Sequence, residues 1–422
     1  MNFQLIKNKN YEIKKAITLL NRAANNFNIP LYFTGGIIRD TLLSKVNYDI
    51  DIFIEEFNID FITYLEILFQ VDFKIIYEFQ NATTTLKNGV SIDISVMRKD
   101  FYPYPGALPL ISKGTFLENI CRRDFTINSI VCVNNKIIDP SKGFLDLKKR
   151  QLRILYSNSF SDDPTRILRG IKFSLRYNFN FEKITEISLM ESLKNYSLVP
   201  ISFSRFYREL SSIFSENNLI NLFKYKKYKD ILLQIFGVMS YSKISDFSFF
   251  ITKNKKLVKS LCLNSEEIFE IYISLINYFR TAHTPCSMSI ENNFFKQKES
   301  FYFDESLVKF IVEKKLNFFR KKDSDFNSNI FKSLKVFSNK ELLILLFIFK
   351  NDIHFFNCIK KFLKLKKTIP LISGKILINK NFTSRKEFKT IIENSFLCQL
   401  NNPDYTIEDI LKEVVTTYEL PC

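Results

Sequence analysis

Residues Asn47 to Glu55 read NYDIDIFIE, an apolar run with Asp49 and Asp51 placed two apart inside it. An extended strand suits this pattern, because alternate residues leave a strand on the same face. Both carboxylates then point the same way at close range, where like charges repel and raise each other's pKa. Such a strand is either a solvated face with two hydrated aspartates or a place where a cation sits. The run before it narrows the fold further. IPLYFTGG reads as a short buried strand ending in Gly35 and Gly36, and IIRDTLL then opens a helix. Helical spacing over 10–28, a helix over 59–70 and strands at 72–79, 82–87 and 90–97 complete a compact α/β unit over residues 1–150.

The glycine turn and the aspartates each carry chemistry. Without side chains, Gly35 and Gly36 let the backbone approach a phosphate and offer it N–H donors, and Arg39 adds a charged fork within one turn. Most Gly-Gly pairs are only turns. Two aspartates on one strand face suit Mg²⁺, which removes their repulsion and supports in-line phosphoryl transfer. Asp93, in SIDISVMR, alternates with Ile92 and Ile94, so a neighbouring strand would bring it beside the pair as a third carboxylate. Its alternative is an ordinary outward-facing strand residue.

Two later segments extend the pattern. In CRRDFTINSI, Arg122 and Arg123 suit a triphosphate, while Asp124 and Asn128 suit ribose hydroxyls and, four apart, share a helix face. A capped helix start with surface arginines is the plainer reading. In DDPTRILRGIKFSLRYNF, Pro164 fits a first helical turn. Asp163 and Arg166 are three apart, so the carboxylate would orient the guanidinium and the two would face a base edge. Arg169 and Lys172 continue that spacing toward phosphates, and Ile167, Leu168, Ile171 and Leu175 supply the buried side. The plainer reading here is a capping aspartate with a local ion pair.

Beyond about residue 160 the 3.6-residue period dominates and strand signals fade, so the remainder is expected to be mostly helical. The net charge of +17, from 61 Lys+Arg against 44 Asp+Glu, points to a polyanionic partner such as nucleic acid, or to composition bias alone. The runs KYKKYK (224–229) and KKFLKLKK (360–367) read as solvated helix faces or RNA contacts. The seven cysteines form no CxxC pair, against a disulfide framework or zinc ribbon. ELLILLFIF (341–349) is half a membrane span and reads as a buried helix, and the first twenty residues lack a signal-peptide layout. A cytoplasmic location, or an organelle stroma or matrix, is expected.

Taken in order, GGIIRD, DID, RRDFTIN, DPSKGFLDL and DDPTRILRGIKF resemble the motifs of class II tRNA nucleotidyltransferases, the family of bacterial and eukaryotic CCA-adding enzymes and bacterial poly(A) polymerases. SRFYREL, with Arg205 and Glu209, echoes a later family element, and the match covers about residues 30–215. The resemblance implies a polymerase-β-like nucleotidyltransferase head (1–150), a helical neck with base recognition (151–230) and a helical body and tail that bind tRNA (231–422). It implies Mg²⁺ at Asp49 and Asp51, with Asp93 at the usual third acidic position. It further implies that Asp163 and Arg166 pair with the base of CTP or ATP without a nucleic-acid template, so that CCA is added to tRNA 3′ ends. The segment between Asp93 and Arg122, with YPYPGALP, occupies the place of a flexible loop that helps switch from C to A.

Departures from the family pattern are Asp162 for Glu, Lys172 for Arg and Gly170 for Ala. The histidine-aspartate phosphohydrolase module of some members is absent, since neither His283 nor His354 is followed by Asp. Partial specificity, CC-adding or A-adding, is the close alternative. Poly(A) synthesis ranks lower, because the GRRFRLxHV stretch of those enzymes is missing from VDFKIIYEFQNATTTLKNG. A non-catalytic RNA-binding relic would be expected to lose the three carboxylates, and all are present.

Overall fold

The computed structural model describes residues 10–194, 201–216, 220–224, 228, 232, 241–278, 327–380, 382 and 387–415. His283 and most of the 224–229 lysine run lie outside these residues. The chain forms two compact units, Met1–Leu222 and Phe223–Cys422.

In the first unit, α1 (Tyr11–Asn26) starts at Asn10, whose side chain accepts the Glu12 N–H, and buries Ile13, Ala16, Ile17, Leu20, Ala23 and Ala24. Nine strands follow up to residue 138: β1 (Tyr32–Thr34), β2 (Asp49–Ile54), β3 (Lys74–Ile76), β4 (Asn81–Thr85), β5 (Ser91–Val96), β6 (Arg98–Phe101), β7 (Leu110–Lys113), β8 (Val131–Val133) and β9 (Lys136–Ile138), and a short parallel pair, β10 (Gln151–Leu152) with β11 (Asn180–Phe181), comes later. Seven of the nine form one mixed sheet in the order β3-β4-β5-β2-β1-β8-β9. Within this sheet only β2 and β5 run parallel; the other adjacent pairs are antiparallel. Ile50, Ile52 and Ile54 of β2 and Ile92, Ile94 and Val96 of β5 are buried, while the intervening aspartates take the other face. The register sets Asp51 opposite Asp93 on one side and opposite Thr34 on the other.

β6 and β7 form a separate two-stranded hairpin, with Phe101 opposite Leu110 around residues 102–109. This is the segment read as a loop. Neither RKDF nor LISK carries an apolar stripe, so their pairing left no hydrophobic signal.

The rest of the first unit is mostly helical. It includes α2 (Gly36–Leu42), α3 (Ile59–Phe69), α4 (Phe116–Cys121), α5 (Gly143–Lys149), α6 (Ser159–Asp162), α7 (Thr165–Tyr177), α8 (Lys183–Lys194) and α9 (Phe203–Phe214). The helix expected to share Asp124 and Asn128 on one face is instead a 3-10 turn, Thr126–Asn128. The DPSKGFLDL motif braces that turn. Asp139 accepts the Gly143 and Phe144 N–H groups at the start of α5, and Asp146 accepts the Thr126 hydroxyl at 2.6 Å.

Gly170 explains one departure from the family pattern. A Cβ there would come 2.8 Å from the Phe181 ring and 2.9 Å from that of Phe125, so α7 meets the core only because the side chain is missing.

The described residues of the second unit form helices and turns, with no strand among them. The helix Asn339–Ile348 begins with a capping box between Ser338 and Glu341 and buries Leu342 to Leu346 completely. In KKFLKLKK, Phe362 and Leu363 are buried while Lys360, Lys361 and Lys364 face solvent. Among the described residues, no helix is long and apolar enough to cross a membrane.

Candidate active site

The N-terminal end of β2 at Asp49 and Asp51, the Gly35 turn, the 3-10 turn and α7 border a cavity of about 970 Å³. Gly35 adopts φ 68°, and a Cβ on it would fall 2.5 Å from an Asp51 carboxylate oxygen. Only glycine fits this place, for conformation and for space. The Gly36 N–H donates to the Asp51 carboxylate, so that donor is turned to the strand aspartate. Asn47 ties the turn to β2, donating to Asp40 at 2.9 Å and accepting the Asp49 N–H at 2.8 Å.

Asp49, Asp51 and Asp93 share the face of β2 and β5 that lies away from the buried isoleucines. Asp49 is exposed and Asp51 half-buried. Burial pushes the Asp51 carboxyl above its ordinary range and Asp49 adds to the rise, against the pull of Arg123 and the Gly36 N–H. Asp93 is pushed up to about 6, by burial first and then by Asp51. These shifts mark a face that pays to hold negative charge and accepts a cation readily. Among the described residues, no three His, Cys, Asp or Glu side chains close into a metal cage. The ledge of hard oxygen donors fits instead an ion like Mg²⁺, which takes one or two carboxylates and completes its shell with phosphate oxygens and water.

Arg39 differs from expectation. It is buried, its Nε and Nη2 donate to Asp40 at 3.0 and 2.8 Å, and its Nη1 donates to Asn128 at 2.5 Å. Its guanidinium lies 5.1 Å from the Phe173 ring centre and 4.8 Å from that of Tyr177, whose hydroxyl also donates to Asp40. The fork is thus spent on the scaffold that joins α2, the 3-10 turn and α7. Asn128 passes the network on, donating to Asp124 at 2.9 Å. Burial works upward on Asp124, but Arg169 and Asn128 hold its carboxyl well below the usual range.

Arg122 and Arg123 gather beside Asp51 and Asp93 with Arg98, which sequence reading missed. Arg98 and Asp100 sit two apart on β6 and pair at 3.1 Å, and Asp100 also lies 3.6 Å from Arg122. The R-x-D spacing was the available signal. Burial, then Arg123 and Arg98, push Arg122 down to about 9. Crowded guanidinium groups of this kind are relieved by a polyanion.

At the start of α7, Asp163 and Arg166 do stand together, but at 4.0 Å. Asp163 is held by Arg205 of α9 at 2.8 Å, and Arg205 also donates to the Gly106 carbonyl in the hairpin loop. Asp163 also accepts the Thr165 N–H and hydroxyl, which ties down the first turn, although the N-cap position itself is Pro164 and not the aspartate of the plainer reading. Arg166 is buried and donates to the Tyr156 and Tyr102 hydroxyls, Ser159 and the Arg122 carbonyl. Glu209 holds Lys172 at 3.3 Å and lies 3.9 Å from Arg169.

Residues 31–153 match the family described as Poly A polymerase head domain. An A-adding tRNA nucleotidyltransferase of Geobacter sulfurreducens is 31% identical over 202 residues, 47% of this chain and 23% of the relative. A CC-adding tRNA nucleotidyltransferase of Deinococcus radiodurans is 30% identical over 151 residues, 35% of this chain and 40% of the relative. The chain thus spans less than half the length of these curated relatives. An apo structure of a CCA-adding enzyme matches 98% of this chain and 97% of its own, at TM-score 0.70 and 26% identity.

Proposed function

We propose, from the premise that this chain is a class II tRNA nucleotidyltransferase with a poly A polymerase head over residues 31–153, that it adds C, C and A to tRNA 3′ ends. The observation that carries the reading is the register that sets Asp51 opposite Asp93 and beside the Gly35 turn, with Asp49 and Asp51 lining one cavity with Arg122, Arg123 and Arg166. The tRNA 3′-hydroxyl attacks the α-phosphate of CTP or ATP, the bond to the β-phosphate oxygen breaks, and pyrophosphate leaves. Asp49 and Asp51, with Asp93 beside them, would hold Mg²⁺, which supplies Lewis-acid activation of the hydroxyl and charge neutralisation at the phosphate. Arg122, Arg123 and Arg98 balance the triphosphate charge, and Asp124 and Asn128 border the sugar. Asp163 and Arg166 border the base edge, and because the Nη donors of Arg166 are held by Tyr156, Ser159, Tyr102 and the Arg122 carbonyl, reading a base requires Arg166 to exchange one of these partners for it. Arg169 and Lys172 extend that cationic wall.

Partial specificity is the second reading, favoured by the similarity to A-adding and CC-adding relatives. The test offers the purified protein tRNAs lacking CCA, CA or A, with labelled CTP and ATP separately and together. Full CCA addition extends all three. An A-adding enzyme labels only the tRNA lacking A, and a CC-adding enzyme never incorporates ATP.

A further inference from the structure

We propose, on the reading of the cavity as a nucleotidyl-transfer site, that Asn119 is a positioning residue for the triphosphate: its neutral amide fixes Arg122 and the start of β6 without cancelling the charge there. Asn119 lies on α4, one turn before Arg122, and is completely buried. Its Oδ1 accepts the Arg122 Nε–H at 2.8 Å and the Arg98 backbone N–H at 3.3 Å. A single oxygen thus ties together the two segments that deliver Arg98 and Arg122 to the cluster. Gly114 makes room for this approach, since a Cβ there would fall 2.5 Å from the Arg98 carbonyl carbon. The orientation of the amide follows from its partners, because both present N–H donors and only the oxygen can accept them.

The other half of the amide is unfavourable where it stands. The Asn119 Nδ2 is buried and has no hydrogen-bond partner among the described residues. A buried donor in that state destabilises the fold and calls for a reason. An aspartate at this position would accept both N–H groups and leave no donor unanswered, so it would suit the fold better. It would suit the site worse. Asp100 already lies 3.1 Å from Arg98 and 3.6 Å from Arg122, one carboxylate shared by two guanidinium groups. Two cations against one anion leave a single positive charge, and a second carboxylate at residue 119 would cancel it. Arg98 and Arg122 border the cavity together with Asp49 and Asp51. The charge that the amide spares therefore faces the place where a polyanion would be bound.

The test compares Asn119→Asp with the wild-type protein by calorimetric titration of CTP, ATP and inorganic tripolyphosphate, with Mg²⁺ and without tRNA. Affinity for each should fall about ten-fold in the variant, the scale of one opposite charge placed a few ångströms from a binding group. Tripolyphosphate has no base, so an equal loss puts the effect on the phosphates. KM for tRNA should stay unchanged, and the melting temperature without nucleotide should not fall. Combining Asn119→Asp with Asp100→Asn restores the charge count and should recover the affinity for tripolyphosphate, which a residue needed only for packing would not do. Wild-type affinity in Asn119→Asp, or a weakened affinity that the double variant fails to recover, overturns the proposal. Wild-type protein that binds tripolyphosphate and loses it in Asn119→Asp, yet extends no tRNA, sinks the catalytic reading and leaves the role of Asn119 standing. Wild-type protein that extends tRNA while Asn119→Asp keeps full affinity sinks the role of Asn119 alone.

Discussion

Asp51 illustrates how a residue can be unfavourable for the fold and indispensable to the proposed chemistry. It is half-buried, opposite one carboxylate and two residues from another. Asp49→Ala or Asp51→Ala is expected to lower nucleotide incorporation by about a thousand-fold or more, while tRNA binding measured by filter retention changes little. The same argument predicts a stability gain. Asp51→Asn removes one buried like charge, so in EDTA its melting temperature should exceed that of the wild type by about 2 °C or more, and added Mg²⁺ should shrink the gap. A lower melting temperature would show that the carboxylate is compensated by its Arg123 and Gly36 partners. Base selection belongs to this scale too. Arg166→Ala should let UTP and GTP compete with CTP and ATP in single-turnover incorporation. Arg205→Ala should do so more weakly, because Arg205 acts by holding Asp163 at 2.8 Å. Unchanged selectivity in Arg166→Ala would refute its base-reading role.

Among the elements, α7 joins stability to function most directly. Its outer turns present Arg166, Arg169 and Lys172 to the cavity, while Ile167, Leu168, Ile171 and Leu175 are buried. Gly170 makes this possible by admitting the Phe125 and Phe181 rings. In an exposed helix, alanine would gain about 1 kcal/mol over glycine. Here Gly170→Ala is expected to lower the melting temperature, because overpacking costs about 1–3 kcal/mol and the clash involves two core rings. Calorimetry of the purified variant decides the sign. The β6–β7 hairpin is the element that sequence patterning left out. Its pairing is defined by backbone hydrogen bonds between polar strands, and its position by Tyr102 and Gly106 meeting Arg166 and Arg205.

For the molecule as a whole, a net charge of +17 has a thermodynamic consequence. If about six phosphates are contacted, the log of the tRNA association constant should fall with log salt with a slope of about −4. A flat response in titrations from low to physiological salt would count against a phosphate-binding surface. The alternation of Asp49, Asp51 and Asp93 with isoleucines, the glycine turn and the later shift to 3.6-residue spacing were legible from the chain, as was the mixed α/β head with a helical remainder. These are properties of neighbours in sequence, fixed by strand and helix periods. What only tertiary structure decided is where each charge goes. Arg39 sits where a phosphate fork was expected and is instead absorbed by Asp40 and Asn128. Arg205, forty-two residues beyond Asp163, supplies the contact that Arg166 makes only loosely. Arg98 joins the arginine cluster because β5 runs beside β2 and delivers it there. A buried guanidinium must satisfy its donors with whatever the fold brings within about 3 Å, and residues far apart in sequence become such partners only when the chain has packed.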